Sequence, residues 1–309
     1  MTSEASLDAV ATASGADGGD AAAVAWRGGR LRWRRFRSER GAVIGAAVLV
    51  LIALAAIFAP WIMPDGPLQQ SSAQLAGPSG AHWLGTDELG RDQLTRLVFG
   101  ARESLIVAFG SAIVGLVIGV PIGLLAGYRG RLWDAIPMRV MDFILALPYL
   151  MVALVVVAIL GSSNFYLVLA IGIAAVPGFA RLTRASALAL RDADFVVATR
   201  AMGASKSDTM VRTVLPNTLA PIIVQFIVTA SVAVVVAAAL SFISLGPPPP
   251  APSWGGMLQT AEKYLYQDPW YGIFPGVALA IMVACFDRIG HGLQRAIGAA
   301  SDSSLQGRT

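Results

Sequence analysis

Residues 104–128 read SLIVAFGSAIVGLVIGVPIGLLAGY, twenty-five residues without one charged side chain. A helix rises 1.5 Å per residue and needs about 20 apolar residues to cross the hydrocarbon core of a bilayer. This stretch is long enough to do so. Working outward from it, charge is also absent from 41–64, 143–180, 213–261 and 269–286. The 309-residue chain is 56% hydrophobic and 14% charged, with a mean hydropathy of +0.66. Ordinary soluble domains carry about 25% charged residues. A soluble enzyme, a disordered chain and a nucleic-acid binder are excluded, despite the basic balance of 23 Lys and Arg against 19 Asp and Glu. The fold class is all-α, a polytopic membrane protein.

The apolar runs predict six transmembrane helices at about 41–62, 103–127, 137–160, 165–187, 216–241 and 271–290. The third is read as one helix starting near Pro137, with Asp142 at its inner end and the Gly161-Ser162-Ser163-Asn164 turn after it. With the N-terminus inside, 19 Lys and Arg fall in cytoplasmic segments and 4 in external ones, so both termini are expected in the cytoplasm. Residues 1–26 read as a disordered cytoplasmic tail without the pattern of a signal peptide. Residues 27–40 form a basic juxtamembrane segment, where seven arginines alternate with Leu31, Trp33 and Phe36 as at a membrane surface. The transmembrane domain covers 41–293, and 294–309 is a second cytoplasmic tail. Two external segments, 63–102 and 242–270, and one cytoplasmic loop, 188–215, lie outside the bilayer. The Pro247–Pro250 run is expected to be stiff and extended.

No catalytic constellation stands up. Cys285 is the one cysteine, and His82 and His291 lie far apart, so neither a disulfide nor a metal site is expected. Gly203-Ala204-Ser205-Lys206-Ser207 lacks the glycine before lysine, and the preceding strand, of a phosphate-binding loop. The middle of every span is free of ionisable groups, which pumps and proton-coupled carriers usually keep there. Energy for any transport would therefore enter elsewhere.

Two patterns carry more. Ser111, Gly115, Gly119, Gly123 and Gly127 recur every four residues, a stripe of small residues that lets helix backbones approach closely. It packs either within this chain or against a partner subunit. Pro121, Pro148 and Pro177 would kink their helices and free carbonyls toward a wet path. In the cytoplasmic loop, Asp192 or Asp194 would cap a short helix whose Phe195, Ala198, Thr199 and Met202 share one face. Gly203 would end it with a positive φ, Ser205–Asp208 would open a second helix, and Pro216 would sit in the first turn of the fifth span. Such a helix either plugs a groove on a cytosolic partner or lies flat on its own bundle.

The segment Phe195-Val196-Val197-Ala198-Thr199-Arg200-Ala201-Met202-Gly203-Ala204-Ser205, with Leu215-Pro216-Asn217, resembles the EAA loop of ABC-importer permeases. Ala198, Gly203, Leu215 and Pro216 match that motif at its spacing, while Val197, Thr199 and Thr213 replace its glutamate, second alanine and isoleucine. The stretches His82–Asp92, Gly100–Leu105, Leu240–Gly246, Pro252–Gly255 and Phe274–Gly276 resemble the dipeptide/oligopeptide (DppC/OppC) permease subunits of that family. The likeness runs from about His82 to Leu293.

The resemblance implies a type I ABC-importer permease fold in the bacterial inner (plasma) membrane, paired with a homologous second permease. Two cytosolic ATPase subunits or domains would bind the ATP and magnesium, so no cofactor is expected in this chain, which is not itself an enzyme. An external substrate-binding lipoprotein would deliver peptides. ATPase coupling is then expected from Phe195, Ala198, Thr199, Met202, Gly203, Ala204, Leu215 and Pro216. External docking is expected from Asp87, Arg91, Asp92, Pro252 and Trp254. With Val197 in place of the glutamate, the loop must be anchored by packing, or by Asp194 or Asp208. Other small cargo (nickel, glutathione, haem) remains open, and a self-sufficient secondary carrier is the alternative from another class.

Overall fold

The computed structural model describes residues 37–306, with side chains as far as residue 297. The tail 1–26 and most of the basic segment 27–40 lie outside the described residues, as do the side chains of most of the second tail. The described elements are helices: α1 (Arg40–Ile57), α2 (Ala59–Ile62), α3 (Gln93–Arg129), α4 (Leu132–Leu145), α5 (Tyr149–Leu160), α6 (Asn164–Arg191), α7 (Asp194–Ala201), α8 (Lys206–Asp208), a π-helical stretch Thr209–Val214, α9 (Leu215–Phe242), α10 (Trp254–Tyr264) and α11 (Trp270–Gln306). The only β pairing among described residues is two isolated antiparallel bridges, Gln70 with Arg91 and Thr86 with Asp92.

Among the described residues five helical segments are long and apolar enough to cross a bilayer, and α4 with α5 makes a sixth if the bent pair is counted as one span. That sixth differs from the straight helix expected over 137–160. The two pieces meet at 91°. Proline has no N–H and pushes the residue before it out of the α region. The α-helix therefore stops at Leu145 and restarts at Tyr149, with Pro148 as its N-cap. At 12 residues α5 is about 18 Å long, short of the ~30 Å core. The Tyr149 hydroxyl donates to the Ile171 carbonyl at 2.9 Å, tying α5 to α6. Two ion pairs tie α4 to the other end of α6: Asp134 with Arg184 and Asp142 with Arg181. Leu132, Ile136, Val140 and Phe143 remain exposed along α4.

The tightest contact is between α3 and α6. A Cβ on Gly119 would lie 2.6 Å from the Val176 carbonyl oxygen and 2.7 Å from the Phe179 Cβ. A Cβ on Gly115 would meet Ala175 at 2.9 Å, and one on Gly127 would meet the Arg184 carbonyl at 2.6 Å; Gly123 faces the Ala180 carbonyl in the same way. The Ser111 hydroxyl donates to the Val168 carbonyl at 3.2 Å. The stripe thus fills its space against this chain's own α6. In a bilayer, dispersion and close backbone approach must supply the attraction that water supplies to soluble cores.

The α3 helix also fixes the ends of the molecule. Its 37 residues make it about 55 Å long. Its start leaves the 63–92 lobe, and its end reaches the α7–α8 loop, where Arg129 donates to the Ser207 hydroxyl at 3.4 Å. Lobe and loop therefore lie at opposite ends of the bundle. The proline run does not extend as expected. It turns, with the Ala251 N–H directed to the Pro248 carbonyl at 3.4 Å.

Candidate functional site

At the loop end, α7 is only eight residues long. Neither Asp192 nor Asp194 caps it. The N-cap is Ala193, which offers no side-chain bond, and Asp194 lies in the first turn, where its charge suits the helix dipole. Gly203 follows the helix at φ +91°, a conformation costly for residues with a Cβ. The Ser205 hydroxyl accepts from the Asp208 N–H at 3.1 Å and so caps α8. Asp208 pairs with Arg212 rather than closing the box on Ser205. A π-helical stretch then leads without a break into Leu215 and Pro216 at the start of α9, so the missing proline N–H falls where the ladder changes from π to α.

The anchor is Val196. Its side chain is fully buried among Leu124, Tyr128, Ala187, Met210 and Val214. Arg200 adds a bond to the Arg191 carbonyl at 3.2 Å. With Val196 turned inward, Phe195, Ala198 and Met202 are turned outward, and Val197 with them. Met202 is 81% exposed and Phe195 44%. Thr199 is half-buried, its hydroxyl donating to the Phe195 carbonyl at 2.8 Å. Ala204 is half-buried and its N–H reaches the Thr199 carbonyl at 3.3 Å. Leu215 packs under the loop beside Val214, and Pro216 is exposed. Apolar side chains thus stand in the open, held there by one buried neighbour.

At the lobe end three of the five expected docking residues, Asp87, Arg91 and Trp254, are buried. Asp87 is fully buried and Arg91 is 7% exposed. The Asp87 Oδ1 accepts the N–H groups of Leu89 and Arg91, both at 2.9 Å, and its Oδ2 accepts from Arg91 Nε at 2.6 Å. Arg91 also donates to Glu88 at 2.9 Å, and the Tyr271 hydroxyl donates to the other Glu88 oxygen at 2.6 Å. Asp92 caps α3, accepting from the N–H and hydroxyl of Thr95 at 2.8 Å, and pairs with His82. Trp254 is 3% exposed; its indole N–H donates to the Leu97 carbonyl at 2.8 Å, and its ring lies against Gly100. Pro252 is half-buried beside it. Asp87, Arg91 and Trp254 are thus buried in the packing of this end, while Asp92 and Pro252 stay half-buried. A buried charge must be paired, which is why Asp87 and Arg91 close on each other rather than face water. Asp268, its carboxyl pushed up by burial, adds a tie from the α10–α11 turn to Gln93 at 3.4 Å.

Residues 119–299 match the model for binding-protein-dependent transport system inner membrane components, and residues 29–78 match that for the N-terminal TM domain of oligopeptide transport permease C. The chain belongs to the family of binding-protein-dependent inner-membrane transport components. It is a multi-pass inner-membrane protein and the permease component of an ABC importer. Over 269 residues it is 39% identical to the dipeptide transport system permease protein DppC of Alkalihalophilus pseudofirmus, covering 87% of this chain and 88% of that one. The di/tripeptide permease DppC of Pseudomonas aeruginosa is 40% identical over 272 residues, 86% and 90% of the two chains. The glutathione permease GsiD of Pectobacterium atrosepticum is 40% identical over 268 residues, 86% and 89%. Among solved structures, the MetNI methionine ABC transporter in inward-facing conformations matches with a TM-score of 0.53 at 21% identity, covering 65% of this chain and 96% of that one. That likeness supports the fold. Within this permease family the loop end carries the EAA-like segment, and the structure adds what sequence reasoning missed: the anchoring role of Val196, and the part of Glu88, Arg96 and Tyr271 in the lobe. Val196 falls outside the i, i+3, i+4 face, and Tyr271 lies 183 residues from its partner Glu88.

Proposed function

We propose that this chain is the peptide-conducting half-channel of an ATP-driven importer of di- and oligopeptides, working with a homologous second permease, two cytosolic ATPases and an external binding lipoprotein. ATP and magnesium belong to the ATPases. The observation that carries the reading is the exposed apolar face of α7, at the end of the bundle opposite the lobe. In this reading the loop end is cytoplasmic, the lobe end external, and α7 seats in a groove of the ATPase. Full burial of such a side chain contributes about 1.5–3 kcal/mol. Met202, 81% exposed, has most of that to gain, and Phe195, 44% exposed, under half. Together they reach the usual allosteric coupling energy of about 1–3 kcal/mol. ATP binding would close the ATPases, carry α7 with them, and swing the spans between inward and outward access. The α7 segment moves as a lever because Val196 fastens it to α3 and α6.

Peptide cargo rests on the printed names of the dipeptide and di/tripeptide relatives, and glutathione, itself a short peptide, on that of a third. The decisive experiment reconstitutes the two permeases and two ATPases in proteoliposomes, adds the binding lipoprotein and measures ATP-driven uptake of dialanine. Met202→Glu should insert normally and leave ATP hydrolysis running while uptake falls at least tenfold. Uptake that survives the substitution would remove α7 from the coupling path.

A further inference from the structure

At the lobe end a cavity of about 310 Å³ opens between three segments distant in sequence. Glu88, Arg91 and Arg96 form one wall, Ser162 of the α5–α6 turn another, and the Gly246–Ala251 turn with Gln259 and Thr260 of α10 the third. Its hydrogen-bonding capacity is lopsided. Both oxygens of Asp87 and both of Glu88 are already occupied by Arg91, Tyr271 and backbone N–H groups. Arg91 is engaged through Nε and Nη2 by the same bonds. Arg96 is not. Its side chain is 8% exposed; the buried Nε is ion-paired with the Asp87 carboxylate at 3.3 Å without forming a hydrogen bond, and Nη1 reaches the Pro67 carbonyl only at 3.4 Å. A guanidinium presents five donors in a planar fork that matches a carboxylate.

We propose that this cavity is a carboxylate-binding site, and that the terminal carboxylate of a short peptide seats on Arg96. Two carboxylates and two guanidinium groups leave the cluster with no formal charge to spare, so what it offers a ligand is the unused donors of Arg96, and a singly charged carboxylate is easier to accept there than a doubly charged phosphate. The volume lies at the small end of the ~300–1,000 Å³ range of ligand pockets, room for a few residues and not for a folded partner. The peptide identity of the ligand rests on the proposed function; the carboxylate chemistry rests on Arg96 alone. The site would take a solute at the lobe end before it enters the bundle.

The test uses the full chain purified in lipid nanodiscs, without ATPases, and labelled dialanine in equilibrium dialysis. Saturable binding is expected, at least tenfold weaker for dialaninamide, and displaced by acetate but not by alaninamide. Arg96→Lys should weaken it about tenfold. Because Arg96 also touches Asp87, Ala251→Trp serves as the second variant: it fills the rim of the cavity, leaves the ion cluster intact, and should weaken binding at least tenfold with the melting curve unchanged. Equal affinity for dialaninamide, no effect of Ala251→Trp in a folded protein, or no saturable binding each overturns the site. A docking protein's acidic side chain as the true occupant would give the last of these results. Dialanine binding that persists while the assembled transporter fails to import peptide would break the importer reading and leave the site standing.

Discussion

The α3–α6 seam and the α7 segment use glycine and apolar residues to opposite ends. Along the seam, glycine is needed for what it lacks in volume: a Cβ at Gly119 would press into the Val176 carbonyl and the Phe179 side chain. At Gly203 nothing lies within 4 Å of the position a Cβ would take, and only the φ of +91° demands the residue. Apolar side chains divide the same way. Phe179 is fully buried at the seam, whereas Met202 stands 81% exposed. A region that satisfies itself needs no partner; one that leaves such a residue in the open is built to meet something else. The strongest way to break that contrast is Gly119→Leu. Overpacking a well-filled contact costs about 1–3 kcal/mol even where neighbours can yield, and here the first obstacle is backbone. The variant should fail to accumulate as a folded membrane protein, read by size-exclusion of detergent extracts. A normal yield would mean that the seam is looser than its contacts indicate.

The next effect is smaller and purely conformational. Gly203→Ala keeps the open surroundings but places a Cβ in left-handed backbone, at about 1–2 kcal/mol. Global melting should barely move, while amide exchange in α7 speeds up by about five- to thirty-fold, the ratio that energy gives. Gly203→Asn should recover part of the loss, because asparagine tolerates this region better. If Ala and Asn behave alike, the positive φ is not what ends the helix.

Most of the bundle was readable from charge spacing alone, because a bilayer forbids unpaired charge over some 20 residues and that rule needs no tertiary knowledge. The elbow at Pro148 escaped it: a charge-free run looks the same straight or bent, so 137–160 read as one helix while its two halves meet at 91°. The lobe escaped for another reason. Asp87 and Arg91 sit in a polar, glycine-rich loop, where charges ordinarily face water. Their burial depends on Arg96, Glu88 and Tyr271 closing over them, and Tyr271 is brought back only by the last helix. In α7, eight residues give barely two turns, enough to group Phe195 with Met202 but not to single out Val196 as the fastening point.

The smallest effect sharpens the contrast most, because it should be visible in only one of two states. Phe195→Ala removes a side chain that is 44% exposed and sits in none of the buried apolar clusters. In the isolated chain it should change unfolding free energy by no more than about 0.5 kcal/mol, the usual range for surface substitutions. In the assembly the exposed share of the ring has somewhere to go. Less than half of a full burial is worth about 0.7–1.3 kcal/mol, or roughly three- to nine-fold in affinity for the ATPase. Unfolding of the chain alone and titration of the ATPase onto nanodiscs measure the two states separately. A change in the first without the second would mean that α7 lies on its own bundle. A change in the second without the first assigns the face to a partner, and the exposed apolar side chains of α7 then have the physical cause that their surroundings in the isolated chain do not supply.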